Sequence, residues 1–266
     1  MDQRPIGVMD SGLGGLSVVR LMRQRMPHES VIFVGDQGHF PYGTRTQDEV
    51  RSFALTIGKF LVRQNIKLMV IACNTATAAS LTLLQDKLPV PVIGVIRPGA
   101  EAAVSLPYHD RIGVIATEST TKDGAYVRTI KSLSPQTTVV AKATQPLVPI
   151  VEHGQTGTPK AQHAVDKELA LFKQHPVDGL ILGCTHFPFL TKEIMNTLGK
   201  SVAIIDPAGE TVQLASRILT KHDALAPQDQ QGQLTLYSTG TASDLAKGAR
   251  QWLGDSNLTG EHLALF

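Results

Sequence analysis

Short apolar runs alternate with longer amphipathic stretches along this chain, the pattern of an α/β protein. Ile6 to Met9, Val31 to Val34, Lys67 to Ala72 and Val92 to Val95 are strand-length runs with few polar interruptions. That is how strands buried on both faces of a parallel sheet read. Between them, a glycine-rich turn from Asp10 to Leu16 feeds a helix to about Met26. The stripe Val50, Phe53, Ile57, Phe60 and Leu61 has helical spacing, and an alanine-rich helix is expected from Ala76 to about Gln85. Pro98-Gly99 punctuates the chain. The pattern then restarts, with strands expected at Arg111 to Thr117, Thr138 to Ala141, Gly179 to Cys184 and Val202 to Ile205.

The restart has a consistent spacing. Asp10 and Cys73 are 63 positions apart, and Thr117 and Cys184 are 67. Two half-molecules of one design follow, so the expected fold is two similar α/β domains with mainly parallel central sheets. A last strand at Leu234 to Ser238 and a helix from Ala242 to Leu253 are too few to form a core of their own. The tail is therefore expected to return to the first domain, giving residues 1–97 plus 209–266 and an inserted second domain of 98–208. The active site is expected in the crevice between them, because open parallel sheets place ligands beyond the C-terminal ends of their strands.

Composition narrows the function classes. The 25 basic and 23 acidic residues are spread throughout, without the cluster that nucleic acid requires. No apolar run reaches the ~18 residues of a membrane span, and the N-terminus enters its first strand without a signal peptide. A cytoplasmic location is expected, and there a disulfide between the two cysteines is disfavoured. The glycine-rich turn lacks the dinucleotide fingerprint and the P-loop lysine. No loop lysine stands out as a pyridoxal-phosphate anchor, and Cys73, Cys184 and His186 lack the close spacing of structural zinc.

The two cysteines carry the candidate chemistry. Each follows an apolar strand and a small residue, in Ala72-Cys73-Asn74-Thr75 and Gly183-Cys184-Thr185-His186. A lone cysteine in such a place is as readily a small buried hydrophobe, but two in matching places of two similar halves suit a symmetric reaction. Racemisation at a carbon acid needs a base on one face and a proton donor on the other, with roles exchanged in reverse. Asp10 can cap its turn or steer a thiol proton. Glu152 and His153 fall in a loop by composition, and His186 stands two residues from Cys184, a pairing that can activate a thiol. Ser11, Tyr42, Gly43, Asn74, Thr75, Thr117, Thr120 and Thr185 sit at element ends, where hydroxyls, amides and helix N-termini can hold an amino-acid carboxylate. A cysteine hydrolase or amidase built on Cys184 and His186, and a non-catalytic small-ligand binding protein, remain open on these residues.

Asp10-Ser11-Gly12-Leu13-Gly14-Gly15, Pro41-Tyr42-Gly43-Thr44-Arg45, Ala72-Cys73-Asn74-Thr75-Ala76-Thr77-Ala78 and Gly183-Cys184-Thr185-His186-Phe187-Pro188 together resemble the motifs of the glutamate racemase family. The resemblance implies cofactor-independent interconversion of L- and D-glutamate, supplying D-glutamate for peptidoglycan, by a homodimer. It implies that Cys73 takes the α-proton of D-glutamate with help from Asp10. Cys184 would take that of L-glutamate with help from Glu152 and His186. Asp10-Ser11, Tyr42-Gly43, Asn74-Thr75, Thr117, Thr120 and Thr185-His186 would frame the substrate. Aspartate racemases share the two-thiol logic, so aspartate is the alternative substrate. The chain departs from the family pattern at Ala116 and Ser119, where glycines are usual, and at Gln145, where a cysteine is common. A longer N-terminal extension, tied in some members to regulation by a wall precursor, is absent, so that regulation is not expected.

Overall fold

The computed structural model describes residues 1–265. Ten strands are formed among them. In chain order they are β1 (Ile6–Asp10), β2 (Val31–Gly35), β3 (Leu68–Ile71), β4 (Val92–Gly94), β5 (Arg111–Ala116), β6 (Thr138–Ala143), β7 (Gly179–Gly183), β8 (Ala203–Ile205), β9 (Leu234–Ser238) and β10 (Gly260–His262). The chain divides into two compact units, Met1–Val95 with the segment that begins at Ala208, and Ile96–Pro207.

Within the first unit the sheet order is β10-β9-β2-β1-β3-β4, and every pairing is parallel. The second unit has the order β6-β5-β7-β8, again all parallel. Matching β1 to β5, β2 to β6, β3 to β7 and β4 to β8 gives the same order twice. The repeat expected from spacing is therefore a repeat of topology. The tail adds β9 and β10 to the open edge beside β2.

The first sheet shows why its strands read as unbroken apolar runs. Successive side chains of a strand point to opposite faces. Ile6, Val8, Val31, Phe33, Leu68 and Val70 join a core with the helices Leu16–Arg25, Pro207–Lys221 and Ala242–Leu253. Met9, Val34, Met69 and Ile71 join another with the helices Gln47–Arg63 and Asn74–Lys87. Helix starts follow local chemistry. Thr46 Oγ1 accepts from the Glu49 N–H at 3.3 Å while the Thr46 N–H donates to Glu49 Oε2 at 2.9 Å, a reciprocal cap that opens Gln47–Arg63.

Two expectations are corrected. Pro98-Gly99 does not break the chain but lies inside the helix Ile96–Val104. Pro98 falls in its first turn, where the missing N–H has no partner to lose. The segment around Glu152 is not a loop up to that residue. Leu147–Glu152 is a short helix, with Leu147, Val148, Ile150 and Val151 buried.

A buried ion pair ties the returning tail to the first unit. Lys67 Nζ lies 2.6 Å from Glu29 Oε2 and donates to the carbonyls of Asp2 (2.7 Å) and Ala224 (2.8 Å). Glu29 Oε1 accepts from the Ala226 N–H at 2.8 Å. Removing one partner of such a pair leaves an uncompensated buried charge. Lys67→Met is expected to lower unfolding stability by about 3–5 kcal/mol, read as a drop in the urea midpoint with little change in slope.

Candidate active site

In the first unit the candidate groups converge at the C-terminal edge of the sheet. Asp10 closes β1, Asp36 follows β2 and Cys73 follows β3 by two residues. The ladder continues past the strands, with the Asp36 N–H bonded to the Asp10 carbonyl (2.9 Å) and the Ala72 N–H to the Met9 carbonyl (2.9 Å). Cys73 is buried and is the N-cap of the 14-residue helix Asn74–Lys87. Its Sγ accepts from the Ala76 N–H at 3.4 Å, and its thiol lies 3.8 Å from Ser11 Oγ as donor. The helix N-terminus thus presents partial positive charge to the sulfur, where a thiolate would form.

Asp10 is fully buried and Oδ2 accepts from the Gly12 N–H at 3.0 Å. It caps its turn, and the glycine loop lets the chain press on it. A Cβ at Gly15 would stand 2.6 Å from Asp10 Cβ and 3.1 Å from Ala72 Cβ. Tyr42 lies near the same groups. Burial pushes its phenol well above its ordinary value, and the charges of Asp36, Cys73 and Asp10 and the hydrogen bond to Asp36 push the same way. The phenol is therefore a donor, and it donates to Asp36 Oδ2. Asp36 also takes His39 Nδ1 at 2.9 Å and the Thr239 hydroxyl, so one carboxylate pins the Tyr42-Gly43 turn to β2 and to the tail. Asn74 and Thr75 are buried in the first turn of the Cys73 helix.

The second unit repeats the placement with different partners. Cys184 follows β7, and His186 Nδ1 lies 3.6 Å from its Sγ. His186 Nε2 hydrogen-bonds Glu152 Oε1 at the end of the short helix. Burial of the imidazole opposes its charging, but the hydrogen bonds to Cys184 and Glu152 and their negative charges outweigh that. The His186 pKa is pushed up to about 10. At neutral pH His186 is an imidazolium whose two N–H groups face the Cys184 sulfur and the Glu152 carboxyl group. Thr117 caps the helix Glu118–Asp123, accepting from the Thr120 N–H at 3.4 Å, and the two hydroxyls are 2.9 Å apart. Thr185 is buried beside Cys184. His153, adjacent to Glu152, is exposed. Among the described residues no group of three His, Cys, Asp or Glu side chains is placed to hold a metal ion.

The Asp/Glu/hydantoin racemase family model matches residues 6–215. Over 265 residues the chain is 58% identical to the glutamate racemase of Limosilactobacillus reuteri, covering 100% of this chain and 98% of that one. The chain belongs to the glutamate racemase family. Its fold follows that of the glutamate racemase isoform RacE1 from Bacillus anthracis, with a TM-score of 0.95 at 37% identity, covering 100% of this chain and 99% of the other. It also follows the glutamate racemase of Francisella tularensis solved in complex with D-glutamate. There the TM-score is 0.93 at 30% identity, with 100% and 99% coverage.

Membership gives the departures a physical reading. Ala116 pairs with Gly183 across β5 and β7. A Cβ at Gly183 would stand 3.1 Å from Ala116 Cβ and 2.8 Å from the Ile115 carbonyl oxygen. The extra methyl of Ala116 is accommodated because its neighbour has none. Gln145 Oε1 accepts from the Glu118 N–H at 3.4 Å, supporting the helix that Thr117 caps.

Three residues beyond the racemase motifs were missed. Asp36 carried a legible signal, an acid at a strand end like Asp10. Tyr126 is buried, with its ring against Gly183; burial first, then the charges of Asp206 and Cys184, keep its phenol protonated. Nothing in its local sequence marks it. Glu193 is a buried acid on a helix whose pattern reads as surface.

Proposed function

We propose that this chain interconverts L- and D-glutamate without a cofactor, supplying D-glutamate for peptidoglycan, with Cys73 and Cys184 as the two bases. The observation that carries this reading is the duplicated placement, a thiol after the equivalent strand of two like sheets, Cys73 beside Ser11 and Cys184 beside His186. In the D-to-L direction the Cys73 thiolate takes the α-proton, and the Cys184 thiol gives its proton to the opposite face of the α-carbon. The L-to-D direction exchanges the roles. Asp10 assists proton transfer at Cys73, and the Glu152-His186 pair assists it at Cys184. Ser11, Tyr42, Gly43, Asn74, Thr75, Thr117, Thr120 and Thr185 bind the substrate through hydroxyl, amide and backbone groups. Full-length identity to proteins named glutamate racemase supports glutamate over aspartate.

The enzyme is a homodimer in the cytoplasm, a reading supported by family membership. Among the described residues no helix is long and apolar enough to cross a membrane.

The Cys184-His186-Glu152 arrangement also has the form of a nucleophile, base and orienting acid. A thiol hydrolase using it would not need Cys73. Optical rotation decides the substrate. With purified protein and no added cofactor, D-glutamate and L-glutamate should each decay to zero rotation, and aspartate should hold its rotation. Decay with aspartate alone reassigns the substrate. No decay with either removes the racemase reading.

A further inference from the structure

We propose that Glu193 is a positioning residue that holds Glu152 against His186, an inference that rests on the racemase reading above. Glu193 lies on the helix Thr191–Leu198, which follows the Cys184–His186 turn after one short 3-10 turn, Phe187–Leu190. It is 4% exposed, and Oε1 accepts the Gly157 N–H at 2.6 Å. Burying a carboxylate is costly, and here the compensating bond goes to the loop that leaves Glu152.

Short-range bonds shape the rest of that loop, among them the Thr158 hydroxyl on the Gln155 carbonyl at 2.6 Å. Glu152 ends a helix of six residues. The chain leaves it through the Gly154 N–H on the Val151 carbonyl (2.9 Å) and the Gln155 N–H on the Ile150 carbonyl (2.9 Å). Gly154 and Gly157 are both left-handed, at φ +64° and +78°, with nothing within 4 Å of where a Cβ would stand. Two unpacked glycines make a pliant segment. The charge-assisted bond to Glu193 anchors its far end, just before Thr158 caps the next helix by accepting from the Ala161 N–H (3.2 Å). Gln162 of that helix donates to the Glu193 carbonyl (3.2 Å), binding the two helices together. The anchor therefore sets where the short helix ends, and with it the reach of Glu152 to the imidazole. The charges acting on His186 come from Cys184 after β7 and Glu152 on the short helix, while Tyr126 faces Cys184 with an unionised phenol.

The test is a pH titration of the His186 imidazole by long-range proton–nitrogen NMR in the full-length protein. Wild type, Glu193→Gln, Glu193→Ala, Glu152→Gln and the double variant Glu152→Gln/Glu193→Ala are compared. Loss of the anchor should lower the His186 titration by about one unit in Glu193→Ala and by roughly half that in Glu193→Gln, whose amide oxygen still accepts. In the Glu152→Gln background Glu193→Ala should add nothing, because Glu193 acts only through Glu152. A wild-type titration in both Glu193 variants, or a shift that adds to that of Glu152→Gln, overturns the proposal. Glu193→Gln carries the decision by itself if Glu193→Ala does not fold. Failure of the racemase reading is separate and shows as stable optical rotation in wild type, whereas the titration needs no turnover.

Discussion

Cys73→Ala and Cys184→Ala are each expected to lose racemisation by roughly 10²–10⁴-fold in both directions. Neither thiol can serve both faces of a carbon acid, so one remaining base can remove a proton but cannot deliver one opposite to it. Each variant should therefore keep one partial activity. In D₂O, Cys73→Ala should wash out the α-proton of L-glutamate through Cys184, and Cys184→Ala that of D-glutamate through Cys73. Proton NMR of each enantiomer separates these outcomes. The thiol hydrolase reading predicts that Cys73→Ala is harmless, since its imidazole, His186, stands beside Cys184.

The second large effect is expected from His186→Asn. It removes a charge-assisted hydrogen bond from the Cys184 sulfur, a loss of about 1.5–3 kcal/mol, or roughly a 10–100-fold lower rate. Both directions must lose kcat/KM equally, because the equilibrium constant between enantiomers is one. The asymmetry appears instead in the primary isotope effects. Proton transfer at Cys184 becomes limiting, so the effect with α-deuterated L-glutamate rises while that with α-deuterated D-glutamate falls toward one. Asp10→Asn, acting on the Cys73 side, should give the reverse. Equal changes with both enantiomers would contradict the assignment of His186 to Cys184. The same imidazole also links pH to stability. Its folded pKa of about 10 lies above the ordinary 6.5. Its contribution is therefore complete below pH 6.5 and lost as pH rises through about 10. The gap in urea midpoint between wild type and His186→Asn should narrow over that window.

Most of the fold was legible because both sheets are parallel and covered on both faces. Met9, Val34 and Ile71 face one core and Val8, Phe33 and Val70 the other, so the strands read as continuous apolar runs. The cysteines were legible for the same reason, since a polar or reactive residue after such a run lies at the ligand end of the sheet. The helix that ends at Glu152 was not. Six residues with Pro149 inside are too few to show a helical period. β10, at three residues on a sheet edge, is equally short of signal. Lys67, Glu29 and Glu193 were invisible for a different cause. A charged residue reads as surface, and its burial is decided by partners distant in sequence, such as Ala224 for Lys67 and Gly157 for Glu193. Pro98 misled because a proline that breaks a helix interior is tolerated in a first turn.

The central claim is that two opposed thiols move two different protons. It is tested most directly by placing unlabelled D-glutamate with wild-type protein in D₂O and reading both enantiomers within the first few per cent of conversion. The two-base account predicts L-glutamate carrying α-deuterium while the remaining D-glutamate is still protiated. L-glutamate that retains the original proton, or deuterium appearing equally in both enantiomers from the start, would point to a single base and contradict it.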